Sequence, residues 1–262
     1  MLIAGGLGGL DGAAYDPNTD SWRPISSPPI PVRGPGGVGP EGYVGTAWTG
    51  HELVVWNVQT HEVAAYDLDD DTWRALPTIE MKVDHGALRW DGENVYAFGT
   101  TVFNPPNTEE MSTSRLVGDE WELLPDTEFA AEGFAALATL TAWTGERFLA
   151  WGDSAADGMT IAFDPSTDTW SPAEDVAGAP CEAHGEPLAA EGVVFAFSWC
   201  SLSIGIYDTQ SDTWSEATVG GSPTARYTVW TGERLVNWGD SCCYGTGGQP
   251  FNTHAWMYDP QS

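Results

Sequence analysis

Positive charge is scarce in this chain. Only 9 Lys and Arg residues stand against 38 Asp and Glu over 262 residues, for a formal net charge of −29. Such a surface repels phosphate backbones and anionic headgroups, which argues against nucleic acid and anionic membranes as partners. No run of eighteen apolar residues occurs, so no membrane-spanning helix is expected. No long segment carries apolar residues at helical spacing either, and helix content is expected near zero. Histidine (5) and cysteine (4) are few. There is no Cys-x₂-Cys pair and no His at ligand spacing, which leaves no zinc motif. No Ser-His-Asp order stands out. The "GTGG" of 245–248 lacks the Lys-Ser/Thr of a phosphate-binding loop. The Asp-rich "DLDDDTW" does not follow the EF-hand pattern, and turn propensity accounts for it. No metal and no cofactor is implied.

Aromatic residues and turn formers, by contrast, are plentiful. The chain has 14 Trp, 9 Phe, 8 Tyr, 31 Gly and 18 Pro, with 42% hydrophobic residues overall. That is enough apolar surface for a real core and argues against disorder. The aromatic residues also recur in register. "YDPNTDSW" (15–22) returns as "YDLDDDTW" (66–73), "FDPSTDTW" (163–170) and "YDTQSDTW" (207–214). "LVGDEW" ends at Trp121 as a degenerate copy, and "YDPQS" begins another at Tyr258. The Trp-to-Trp spacings are 51, 48, 49 and 44 residues. Ahead of the later copies stands a second motif: "AWTGHELVVWN", "RWDGENVYAFG", "AWTGERFLAWGD" and "VWTGERLVNWGD", with "AAEGVVFAFSW" as a weaker version.

The local chemistry of both motifs is β. Thr-Gly or Asp-Gly between apolar runs is a hairpin turn, and "ELVVW" or "GVVFAF" has the β-branched and aromatic content of strands. In "YDPNTDSW" the first Asp can accept from turn N–H groups, and Pro presets φ at the next position. Each repeat therefore holds four short strands, here a to d. Strand a ends at the Thr-Gly turn, b follows it, c carries Tyr-Asp and d carries Trp. A repeat of about 40–50 residues with four strands is a propeller blade.

The order of a hydrophobic strand ending in glycine, then Tyr, then Trp about seven residues on, resembles the kelch-repeat β-propellers across essentially the whole chain. In that family a double glycine closes the second strand. Here only Gly5-Gly6 keeps the pair. The aromatic positions match better: Tyr15, Tyr66, Phe163, Tyr207 and Tyr258, with Trp22, Trp73, Trp121, Trp170 and Trp214. The resemblance implies that these rings pack against the neighbouring blade. The expected fold is all-β: one kelch-like propeller domain over 1–262, of about six units of four antiparallel strands (roughly 1–27, 41–80, 84–126, 134–174, 184–217 and 224–262). The first unit is expected to hold only b, c and d, and the last only a, b and c. Aligned on the repeats, "MLIAGG" is a second strand and lacks the charged start of a signal peptide. The chain thus reads as a piece of a longer reading frame, with open sheet edges at its two ends.

Function is expected where the long connections lie. In a propeller the d–a and b–c loops share one face, and here they include 24–42, 99–113, 172–184 and 239–253, against short turns opposite. Long loops on a rigid scaffold commonly carry function. Arg33, Lys82 and Arg226 fall in or beside d–a loops, and His85 and His184 near the starts of strand a. Trp199 and Tyr244 sit in the same loops and could stack on a sugar or anchor a protein. His51 and His61 fall at an a–b turn and at the start of a c strand. The leading expectation is a non-catalytic module binding a protein or glycan through this face. The alternative is a carbohydrate-active enzyme of a kelch-containing class, a sugar oxidase or a sugar-acid epimerase or mutarotase, with His85, His184, Arg226 and Glu186 as the available acid–base groups. A structural module of a larger protein is the third reading.

Cys181 precedes strand a and Cys200 follows strand b of the fifth unit, which places them at one end of a hairpin. A disulfide there is geometrically reasonable and would stabilise by about 3 kcal/mol on a chain-entropy basis. Cys242 and Cys243 are adjacent and could bond to each other, bond elsewhere or stay free. Four cysteines and the acidic surface point to an extracellular or cell-envelope setting.

Overall fold

In the computed structural model the described residues are 2–4, 12–16, 19–32, 44–100, 111–127, 141–151, 160–173, 187–190, 192–197, 203–218, 225–231, 233–241 and 254–259. All regular structure among them is β. The strands are β1 (Leu2–Ala4), β2 (Gly12–Asp16), β3 (Ser21–Ile25), β4 (Val44–Trp48), β5 (Glu52–Asn57), β6 (Val63–Asp67), β7 (Thr72–Leu76), β8 (His85–Trp90), β9 (Val95–Thr100), β10 (Met111–Val117) and β11 (Glu120–Leu123). They continue as β12 (Thr141–Trp143), β13 (Phe148–Trp151), β14 (Thr160–Asp164), β15 (Thr169–Pro172), β16 (Leu188–Ala190), β17 (Val193–Phe197), β18 (Ser203–Asp208), β19 (Thr213–Thr218), β20 (Ala225–Trp230), β21 (Leu235–Ser241) and β22 (His254–Tyr258).

The chain divides into two compact units, Met1–Ala130 and Ala131–Ser262. Every sheet is an antiparallel meander in sequence order. The first unit holds β1-β2-β3, β4-β5-β6-β7 and β8-β9-β10-β11, and the second holds β12 to β15, β16 to β19, and β20-β21-β22. Within each unit the sheets are arranged as the blades of a β-propeller. Strands β1 to β3 are the expected b, c and d, and β20 to β22 the expected a, b and c. Residues 2–4 are indeed strand, paired Leu2 to Ala14 and Ala4 to Gly12.

Two turn chemistries make these meanders. At the a–b turn, Thr49 bridges the hairpin: its hydroxyl accepts the Glu52 N–H at 3.1 Å and its own N–H donates to the Glu52 carbonyl at 3.0 Å. Thr144 with Arg147 and Thr231 with Arg234 repeat the arrangement. At the c–d turn, the first Asp accepts backbone N–H groups as expected. Asp67 takes those of Asp69 and Asp70, and Asp208 takes those of Gln210 and Ser211. The residue that closes this turn, just ahead of strand d, is also Asp, at φ 49° to 54° in Asp20, Asp71, Asp168 and Asp212. A side chain in this left-handed region is unusual, and Asp is among the few that tolerate it.

The core lies between neighbouring sheets. In the first unit Val54, Trp56, Val63 and Ala65 of the second sheet pack with Leu88, Val95 and Ala97 of the third. In the second unit Leu149, Trp151 and Ala162 pack with Val194, Ala196 and Tyr207. First strands of adjacent sheets converge, and small residues let them do so. A Cβ built on Gly45 of β4 would stand 2.9 Å from the Leu88 nitrogen of β8. A Cβ on Gly86 would stand 2.4 Å from the Trp56 ring and 2.9 Å from the Phe98 carbonyl.

The ring positions of the repeat pair within their own sheets, and three of the tryptophans also reach a neighbouring sheet. Tyr66 and Trp73 stack in a tilted pair at 5.0 Å, Phe163 and Trp170 at 5.2 Å, and Tyr207 and Trp214 at 5.3 Å. Trp73 donates its indole N–H across to the Ser26 carbonyl of the preceding sheet, and Trp214 meets Trp151 edge-on. Trp121 is partly buried against the core of the second and third sheets. Trp22 departs from this pattern and is 52% exposed. His61 also departs from expectation. It does not begin strand c but sits in the β5–β6 turn at φ 61°, where its Nδ1 lies 3.0 Å from the Ile79 carbonyl.

Candidate functional site

Each blade has two ends with different chemistry. The short-turn end is occupied by contacts that hold the fold. Asp71 accepts from the Tyr66 hydroxyl at 2.7 Å and from the Ser26 N–H at 3.0 Å, and faces Arg23 of the preceding sheet at 3.7 Å. Arg23 also donates to the Leu68 carbonyl. Arg74 forks onto Glu52 of its own sheet and reaches Asp119 in the c–d turn of the next at 2.8 Å. Arg147 reaches Asp212 of the following sheet at 3.2 Å, and Asp212 accepts from the Tyr207 hydroxyl. Each of these three arginines therefore clasps the c–d turn of the sheet that follows it.

Protonation follows the same contacts. Turn N–H groups hold Asp67 and Asp208 below the usual carboxylate range. The Ser166 hydroxyl and N–H do so for Asp164, and the Ser26 N–H, then the Tyr66 hydroxyl, for Asp71. Burial, then the Asp212 carboxylate, pushes the Tyr207 phenol up to about 12 from an ordinary 10.0. Tyr66 moves the same way for the same reasons. A phenol so raised stabilises the fold fully below pH 10, and the contribution is lost as pH climbs towards 12. Tyr207→Phe is expected to cost about 1 kcal/mol at neutral pH and to reduce the steepness of alkaline destabilisation between pH 10 and 12, as read by urea denaturation. Phe163 at the equivalent position shows that the site accepts a ring without the hydroxyl. An unchanged alkaline slope would refute the assignment.

The opposite end is where the sequence places function, and the third sheet displays it best. His85 opens β8 directly opposite Thr100, which closes β9, and Thr100 faces Met111, which opens β10. The connection from β7 to β8 approaches this end in an alternating pattern. Ile79 and Met81 are buried and Val83 packs against the core, whereas Thr78, Glu80 and Lys82 are turned to solvent. The Ile79 N–H is held by the His61 carbonyl at 3.1 Å. His85 Nδ1 lies 3.0 Å from Asp84 Oδ1, with the imidazole 21% exposed. The buried Thr100 Oγ1 has no hydrogen-bond partner among the described residues.

The basic residues sort sharply between the two ends. Arg23, Arg74, Arg115, Arg147 and Arg234 are all in ion pairs, and Arg89 donates to the Leu88 carbonyl. Lys82 is exposed and has no ion pair among the described residues. Lys82 lies in the β7–β8 connection and His85 at the start of β8, where the repeats put a d–a loop and a strand a. The sequence reasoning missed Asp84 and Thr100, although an Asp next to the His was visible. Arg226 lies on β20, but its side chain is outside the described set. Arg33, His184, Trp199, Tyr244 and all four cysteines, Cys181, Cys200, Cys242 and Cys243, lie outside the described residues. The described residues contain no cluster of three or more His, Cys, Asp or Glu that could hold a metal ion.

No family model matches the chain. No curated protein matches it either.

Proposed function

We propose that the chain is a non-catalytic, kelch-type binding module that takes a protein or glycan at the blade ends bearing the d–a and b–c connections. One observation carries this reading. The described arginines are spent on holding strands and turns, while Lys82 stands exposed beside the Asp84–His85 pair at the mouth of the third sheet. A cation held out on an extended, well-anchored segment is suited to a ligand carboxylate or hydroxyl cluster within an otherwise acidic surround. Arg33 in the first unit, and Arg226, His184, Trp199 and Tyr244 in the second, are proposed as further binding residues of their own units, with the aromatic side chains stacking on sugar rings or anchoring a protein. The kelch reading rests on the Tyr/Phe and Trp positions that recur in register. An extracellular or envelope setting and a Cys181–Cys200 disulfide belong to the same proposal, and intact-mass measurement with and without reductant tests the disulfide.

A glycan array, followed by titration of the best ligand, tests the reading. Lys82→Ala is expected to weaken binding at least tenfold with no change in melting temperature, because the side chain is exposed and has no ion pair among the described residues. Binding that survives both Lys82→Ala and His85→Ala would place the site elsewhere. Copper or zinc bound at one equivalent would favour the carbohydrate-active enzyme instead.

A further inference from the structure

The turn between β5 and β6 grips two connections at once. It is closed by the Asn57 N–H on the Glu62 carbonyl at 2.9 Å. Asn57 Oδ1 accepts the Gln59 and Thr60 N–H groups at 3.0 Å, and those two residues stand exposed at the tip. Asn57 Nδ2 donates to the Pro31 carbonyl at 2.8 Å, in the connection that enters this sheet. The His61 carbonyl accepts the Ile79 N–H at 3.1 Å, in the connection that leaves it.

The two connections lie on opposite faces of the sheet. Ile30 and Val32 pack with Val55 and Ala64. Ile79 and Met81 pack with Val54, Trp56, Val63 and Ala65. Successive residues of a strand face opposite ways, and Val54–Ala65 and Val55–Ala64 are successive cross-strand pairs. The two segments also match in sequence. Ile30-Pro31-Val32-Arg33 and Ile79-Glu80-Met81-Lys82 each alternate two buried apolar residues and then supply a cation. Lys82 is exposed, and Arg33 is the next residue after the buried Val32. The carboxylates beside Lys82 are engaged: Glu80 accepts from the Thr78 hydroxyl at 2.9 Å, and Asp84 Oδ1 lies 3.0 Å from His85 Nδ1.

We propose that this end of the second sheet binds an acidic oligosaccharide. One sugar carboxylate meets Lys82, another meets Arg33, and the hydroxyls between them meet Gln59 and Thr60. The inference rests on the loop-face reading and commits it to one ligand class within the first unit. The connections are separated by two layer spacings of about 10 Å each, so the ligand is a run of several sugars and not a single one. A protein is the poorer occupant, because protein contacts are anchored by apolar and aromatic groups in pockets. Here Ile30, Val32, Val58, Ile79 and Met81 are all buried. Carboxylates spread along a glycan also suit a chain of net charge −29 better than the dense charge of a nucleic acid.

The test titrates the full chain by calorimetry with oligogalacturonates from the monomer to the hexamer. The hexamer is expected to bind one per chain, and the monomer at least about tenfold more weakly, because linked contacts reinforce one another. Lys82→Ala and Arg33→Ala should each bring the hexamer towards the monomer's affinity, and Arg33→Lys should keep most of the binding. Lys82 is the only lysine in the chain, so acetylation of its amine, read by peptide mass mapping, probes the unmutated protein. Bound hexamer is expected to slow that acetylation. Three results would overturn the proposal while leaving a ligand site on the loop face: a monomer that binds as tightly as the hexamer, equal binding of a carboxyl-reduced neutral hexamer, or tighter binding of polyglutamate. Binding unchanged by both Lys82→Ala and Arg33→Ala, with no protection of Lys82, would overturn the loop-face reading as well.

Discussion

Trp56→Ala is expected to destabilise the first unit by about 3–5 kcal/mol, the range for deleting a large aromatic side chain from a packed core. Trp56 is 0% exposed and packs with Val54, Val63, Leu88 and Ala97 across two sheets. The cavity left behind would be lined by strands that cannot collapse without breaking their ladders. Trp56→Phe should cost much less. It keeps most of the ring and removes a buried indole N–H that has no hydrogen-bond partner among the described residues. Trp22→Ala is the control, because that ring is 52% exposed despite its place in the same repeat. Its loss is expected to stay within about 1 kcal/mol by area burial. Equilibrium urea denaturation reads all three, and equal losses for Trp56→Ala and Trp22→Ala would mean that the inter-sheet packing is wrong.

Gly86→Ala is the second large effect, at about 1–3 kcal/mol or more, from overpacking. The added carbon would sit 2.4 Å from Trp56 and 2.9 Å from the Phe98 carbonyl. The first neighbour is a side chain and the second is backbone in the same sheet, so only half of the clash can be relieved. Combining the two substitutions checks the geometry. In a Trp56→Ala background the methyl at position 86 finds room on the ring side, and its cost should fall though not vanish. Strictly additive losses would mean that Gly86 and Trp56 do not touch.

The strand plan was legible in the sequence because its signals are local. Thr-Gly turns, Asp-led turns and alternating aromatic runs each act within a few residues, and the strands at both ends of the chain fell where the repeats put them. What was not legible depends on residues far apart in sequence. Arg23 and Arg147 read as basic residues near turns, but their partners Asp71 and Asp212 lie 48 and 65 positions away on another sheet. The closing Asp of each c–d turn looked like one more turn former. The left-handed backbone of Asp20, Asp71, Asp168 and Asp212, and the bonds of Asp71 and Asp212 to Tyr hydroxyls, follow from the sheet geometry and not from the pattern. Trp22 carries the repeat signature as well as Trp73 does, and only the neighbouring sheet decides which of them is buried. Of the site residues, Lys82 and His85 could be located because a short, patterned connection precedes them.

The arginine clasps have a consequence for how such a chain can be taken apart. Each joins a donor in one sheet to an acceptor in the c–d turn of the sheet that follows, always in the same sense along the chain. Arg23 reaches Asp71, Arg74 reaches Asp119 and Arg147 reaches Asp212. The β4–β7 repeat, cut at the boundaries that the strands suggest, therefore carries half of two different clasps, Asp71 of one and Arg74 of the next. In building or shuffling such repeats, the exchangeable piece is offset from the visible one. It must take the arginine from one sheet together with the c–d turn of its successor, or it leaves an unmatched charge at the seam.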